Sequence, residues 1–162
     1  MVFLKPYALS VGLGSVTSFF VTYTLSATGV RLIGGHWPDR FGLRQILYPA
    51  TVSMSLGILL FVIQPTFTGL VISGILCGIG HGFIFPILSV IFIESGGEKN
   101  RGSLMTLFTM LIDIGLFIGA PLLGLIARGG NYVPMFITAA LIQTTILALG
   151  MVWYRGKLAK RG

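Results

Sequence analysis

The sequence predicts an all-α, polytopic membrane helix bundle with about five transmembrane helices, and three observations carry that prediction. Only 9% of the 162 residues are charged while 54% are hydrophobic, and the mean hydropathy is +0.94. Apolar runs of about 18 residues or more recur along the whole chain, the length a helix needs to cross hydrocarbon. The runs are continuous rather than alternating, which favours helices over the strands of a membrane barrel.

Five spans are expected, at residues 7–34, 46–63, 68–93, 103–127 and 132–154, forming one transmembrane domain over 1–162. The start carries Lys5 and then apolar residues, as a secretory signal would. The run that follows is too long, too rich in Ser and Thr, and has no Ala-x-Ala site before Arg31. Along the first span Ser15, Ser18, Thr22 and Ser26 recur at spacings of three and four, on one helical face. That face either lines a polar pathway or satisfies its hydroxyls on the preceding turn's carbonyls. In the third span Gly74, Gly78 and Gly82 fall four apart, as do Gly115 and Gly119 in the fourth, a spacing that lets helix backbones approach closely. Pro86 and Pro121 are expected to bend these two helices. Ser103 suits a cap on the fourth helix, and Asn131 a cap on the fifth, with Pro134 tolerated in its first turn.

Between the first two spans lies a tight charged loop, Gly-Gly-His-Trp-Pro-Asp-Arg-Phe-Gly-Leu-Arg, from Gly34 to Arg44. Its glycines and proline break the helix, and Arg40 and Arg44 cannot cross hydrocarbon cheaply, so the loop belongs at a membrane face. Counting cations on alternate sides of five spans places Arg31, Arg40, Arg44, Lys99, Arg101, Arg155, Lys157, Lys160 and Arg161 on one side, against Lys5 and Arg128 on the other. The cation-rich side is cytoplasmic, so the N-terminus is expected outside and the C-terminus inside a plasma membrane, of the bacterial inner-membrane kind. Trp37, Tyr48, Trp153 and Tyr154 fit the headgroup level.

The net charge of +7 is spread over loops and a tail, without the basic face or stacking aromatics of a nucleic-acid binder. Cys77, the only cysteine, excludes an internal disulfide. The Gly-x-Gly-x-Gly of residues 78–82 follows no strand and is not a nucleotide loop, no cofactor or metal is implied, and no Gly-x-Ser-x-Gly nucleophile is present to suggest an enzyme.

The ionisable groups inside the apolar runs carry the functional expectation. Asp113, near the middle of the fourth span, must pair, face water or stay protonated, and desolvation would move such a carboxyl toward proton exchange at physiological pH. Thr109 lies one turn earlier on the same face, within hydrogen-bonding reach. His81 lies near the middle of the third span, within about one turn of the depth of Asp113 at 1.5 Å per residue. The two are candidates for a proton-sharing or substrate-binding pair.

Gly35-x-x-x-Asp39-Arg40-x-Gly42-x-Arg44, set between two membrane helices, resembles the signature loop of the major facilitator superfamily. Leu43 stands where the family often has a basic residue. The run Gly78-Ile-Gly80-His81-Gly82-Phe83-Ile84-Phe85-Pro86 resembles the family's tenth helix, and Asp113-Ile-Gly115 with Gly119-Ala-Pro121 and Gly124 resembles its eleventh. The resemblance implies helices eight to twelve of a transporter whose N-terminal half is missing from this chain. It further implies a gate latch in the loop, formed by Asp39 with neighbouring Arg residues and the helix beginning near Ser103. Alternating access by rocking of two halves around a midplane site, proton coupling, a small-molecule substrate, and export favoured over uptake are its functional implications. A non-transporting assembly or regulatory remnant stays open as the other reading.

Overall fold

The computed structural model describes residues 3–13, 15–94 and 100–159. These form seven α-helices, α1 (Leu4–Ser10), α2 (Thr17–Gly34), α3 (Trp37–Phe41), α4 (Leu43–Ile63), α5 (Phe67–Glu94), α6 (Arg101–Ile126) and α7 (Val133–Ala159), with a 3-10 turn at Arg128–Gly130. No strand occurs among the described residues. By length and composition α4, α5 and α6 can each cross a membrane. The chain is an all-α membrane helix bundle. In α2, hydroxyls, glycine and Arg31 dilute the apolar run.

At the start the structure differs from the expected single span over 7–34. Helix α1 ends at Ser10 and α2 starts at Thr17, and between them Gly12 takes a φ of +78°, a conformation that L side chains rarely adopt. Ser15 Oγ then accepts a hydrogen bond from the backbone N–H of Thr17 (3.2 Å) and donates one to the Thr17 hydroxyl (2.8 Å), opening α2. The short α1 is anchored by its aromatic residue: Tyr7 packs edge-on against Phe61 of α4 and Phe136 of α7, and its hydroxyl donates to the Val62 carbonyl at 3.3 Å.

The bundle is organised around α5, which lies between α2 and α4. On one side Gly74, Gly78 and Gly82 rest on the α2 backbone at Phe19, Tyr23 and Ala27, so the four-residue spacing on one helix meets the same spacing on the other. A Cβ on Gly82 would stand 3.1 Å from the Ala27 carbonyl oxygen, and at Gly74 and Gly78 it would collide with Thr22 and Tyr23. On the other side Gly80 faces α4, where a Cβ would come within 2.6 Å of the Ala50 carbonyl oxygen, and Gly57 of α4 faces Cys77. Such approach brings backbone against backbone, the close contact by which helices associate in lipid. Pro49, Pro86 and Pro121 sit inside α4, α5 and α6, each of which remains one helix.

Two apolar clusters fill the bundle. Leu4, Tyr7, Phe19, Phe61, Leu70 and Cys77 form one at the α1 end, and Ala50, Phe83 and Ile87 form another toward the α3 loop. α7 is tied to α4 by polar contacts: Gln143 Nε2 donates to the Thr51 carbonyl (3.3 Å), and the Ser55 and Thr144 hydroxyls pair at 3.2 Å. By contrast α6 stands largely apart, with Phe108 its only buried residue.

Candidate functional site

Three features bear on function: the α2–α4 loop, a cavity between α4 and α7, and the outer face of α6. Each includes residues that the sequence singled out, and the structure distributes them differently from the expectation.

In the loop, Gly34 ends α2 against Phe83, whose Cζ would lie 2.8 Å from a Cβ at that position. Trp37 stacks on the same Phe83 ring, with centroids 6.0 Å apart, and Pro38 is buried at the start of α3. This clamps the loop to α5. Gly42 then turns the chain into α4 with a φ of +96°, which is why a glycine is required there. Asp39 is exposed in the first turn of α3 and forms no ion pair among the described residues. Arg40 lies over the Phe41 ring at 5.4 Å, a cation–π contact. Gly35 is exposed, and Arg44 is among the residues that line the cavity. The latch expectation joins Asp39 to the start of the fourth span. That helix begins at Arg101, and residues 95–99 of the preceding loop lie outside the described residues.

The cavity measures about 800 Å³, is partly open, and is bordered by α4, α5, α6 and α7. Its walls are mainly apolar, with Leu47, Ile84, Leu122 and Ile142 representing the four helices. Arg44, Tyr48, Thr51, His81, Thr138 and Gln143 are the polar residues of its lining. His81 is half-buried, its ring 5.9 Å from Tyr23 and stacked 6.4 Å from Phe85.

Asp113 is not in this cavity. It is exposed on α6, and no hydrogen bond or ion pair reaches it among the described residues. Gly119 lines the cavity, and at about 100° per residue Asp113 lies roughly 120° away from it around the helix. The Thr109 hydroxyl does not reach Asp113 either, since it donates to the carbonyls of Met105 (3.2 Å) and Thr106 (2.9 Å). His81 and Asp113 therefore face separate spaces, and the structure does not assemble them as a pair.

The hydroxyl stripe on α2 also resolves. Thr22 donates to the Ser18 carbonyl (2.9 Å) and lies against Gly74, and Ser26 lies against Gly78, so this face is packed on α5 rather than open to a pathway. On α6 the outcome is reversed. A Cβ on Gly115 or Gly119 would meet nothing within 4 Å, so the spacing that brings α5 against α2 here meets no helix. Gln143 of α7 lines the cavity and bridges to α4. Its only signal in the sequence was a lone amide in an apolar run.

A model of the Major Facilitator Superfamily matches residues 1–162. The chain belongs to the major facilitator superfamily. Similar members include an uncharacterised MFS-type transporter of Pseudomonas aeruginosa (strain UCBPP-PA14), 27% identical over 163 residues, which cover 90% of this chain and 40% of that protein. Uncharacterised MFS-type transporters of Burkholderia mallei (strain SAVP1) and Burkholderia pseudomallei (strain K96243) are each 25% identical over 162 residues, with the same coverage. No solved structure matches the chain. This superfamily member therefore spans about 40% of the length of its curated relatives.

Proposed function

We propose that this chain is part of the C-terminal half of a secondary transporter that moves a small solute by alternating access, with Asp113 taking up and releasing the coupling proton. The observation that carries the reading is the setting of Asp113. It lies twelve positions into a 26-residue apolar helix, exposed, with no hydrogen-bond or ion-pair partner among the described residues. A carboxyl at that depth facing hydrocarbon would be costly, so water or another part of the transporter must meet it. Its face supports this. Gly102, Thr106, Thr109 and Asp113 recur at spacings of four, three and four, giving a small and hydroxyl-bearing stripe over the first half of α6, before the large exposed side chains of Leu116 and Phe117.

The test is proton-driven flux in the transporter that contains this chain, reconstituted in vesicles. Replacing Asp113 with Asn is expected to abolish the dependence of flux on the pH gradient while leaving solute binding measurable. Unchanged flux with an unchanged pH profile would falsify the coupling role. The sign of the exchange, solute outward against protons inward, reports export in the same experiment.

The α2–α4 loop is proposed as the gate latch. Its support is mechanical: Trp37 and Gly34 fix the loop to Phe83, Gly42 sets the entry into α4, and Asp39 is left presented at the surface. A cysteine pair at Asp39 and Ser103 is expected to crosslink in one conformational state and not the other. Crosslinking that ignores the state, or none in either, removes the latch. His81 contributes to the cavity rather than to the proton site, because the two groups face different spaces.

A further inference from the structure

We propose that Arg31 and His81, flanked by the rings of Tyr23 and Phe85, form a recognition site for a flat organic anion, of the chemistry of an aromatic carboxylate. The proposal deepens the transport reading by naming the class of solute, and it rests on that reading for the statement that the bound anion is the one carried.

The site is assembled where α5 lies against α2. Gly78 and Gly82 let the two backbones meet, which brings the side chains beside the contact within reach of one another. Arg31, one turn before the end of α2, donates from Nε to the Gly82 carbonyl at 3.4 Å. From there its charge acts on both His81 and Tyr23. The Tyr23 and His81 rings stand 5.9 Å apart, and His81 stacks on Phe85 at 6.4 Å with 26° between the planes. Phe85 in turn meets Phe108 of α6 at 5.6 Å, so a row of rings runs from α2 across α5 to α6.

The polar groups of this row lack partners. Among the described residues the Tyr23 hydroxyl and both His81 ring nitrogens make no hydrogen bond, and Arg31 forms no ion pair. His81 is half-buried at the middle of α5, an apolar helix of 28 residues. Donors left open at that depth call for a ligand or water to meet them.

Charge and shape narrow the ligand. The acidic residues of the chain are Asp39, Glu94, Glu98 and Asp113. None lies on α2, and α5 carries only Glu94, its last residue, about 20 Å along the helix from His81. Rings alone would attract a cation, but with no carboxylate to offset Arg31 the site repels one. The planar guanidinium fork suits a carboxylate, and the hydroxyl and imidazole donors add to the same charge preference. The row of rings offers faces and edges to a flat apolar body.

The test is equilibrium binding, without any gradient, to the purified transporter that contains this chain. Its probes share one ring system and differ in charge: naphthoate, naphthylmethanol and naphthylmethylamine. Naphthoate is expected to bind about tenfold more tightly than the alcohol, the worth of a hydrogen bond to a charged group, with the amine weakest. Arg31→Gln should remove that preference while leaving the alcohol unchanged, and Arg31→Lys should restore part of it. His81→Phe, which keeps a ring and removes the donors, should weaken naphthoate more than the alcohol, and Phe85→Leu should weaken all the probes alike. Equal affinity for the probes, preference for the amine, or no binding of any of them overturns the proposal. So does an Arg31→Gln protein that loses every probe by the same factor. The probe series on the unaltered transporter needs no variant, so misfolding cannot mask the answer. Proton-driven flux without charge-selective binding removes this assignment alone, whereas selective binding by a protein that carries no flux removes the transport reading and leaves the site.

Discussion

Gly78 and Gly115 are identical residues in apolar helices with opposite surroundings. At Gly78 a methyl group would collide with the Tyr23 carbonyl of α2, whereas at Gly115 nothing stands within 4 Å. Gly78→Ala is expected to destabilise the chain by about 1–3 kcal/mol, the usual cost of overpacking a close contact. Gly115→Ala is expected to stabilise it by up to about 1 kcal/mol, because alanine favours the helix and meets no neighbour. Equilibrium unfolding in micelles, followed by circular dichroism, gives both signs. A third residue tests the loop. Gly42 holds a φ of +96°, so Gly42→Ala should cost about 1–3 kcal/mol of backbone strain and loosen the entry to α4. Sequence spacing named all three glycines but could not tell which face another helix, because the distance to a partner is not a property of the residue.

At the level of elements, α7 joins the bundle through the buried Met135 and Ala140, the edge contact of Phe136 with Phe61, and two polar contacts to α4. Gln143 donates across to the Thr51 carbonyl, and Thr144 pairs with Ser55, so α4 and α7 are held by side chains that have no water to compete for them. Gln143→Leu is expected to cost roughly 0.5–1.5 kcal/mol and to raise hydrogen exchange in α7 before α4 or α5. Uniform loss of protection over all helices would count against this local role. The first span illustrates the opposite kind of error. Its hydropathy runs on from Tyr7 to Gly34, but Gly12 permits a reversal of backbone and Ser15 opens a new helix, so one apolar run becomes two elements. Hydropathy averages over such a break. The α2 hydroxyls mislead for the same reason: spacing put Thr22 and Ser26 on one face, and only packing shows that the face meets α5.

For the whole molecule, the arrangement of cations makes the strongest prediction. With the five expected spans, nine lysines and arginines would fall on the side of the α2–α4 loop, the loop before α6 and the tail, against Lys5 and Arg128 on the other. Acceptor sites for glycosylation placed at residues 129–131 are expected to be modified in a eukaryotic membrane system, and the same sites in the α2–α4 loop are not, with the two termini on opposite faces. Modification of both would refute the orientation. The sequence by itself determined that this chain is a helical membrane protein, and its loop and glycine motifs placed it in the right superfamily. These are local properties: hydrophobicity, breaks and charge are written residue by residue. Only the tertiary structure decided that α5 is the centre, that His81 and Asp113 look into different spaces, and that α6 keeps a bare glycine face beside a cavity. Those facts depend on which helix lies against which, and in a bilayer apolar character cannot choose, since lipid satisfies an apolar side chain as well as protein does.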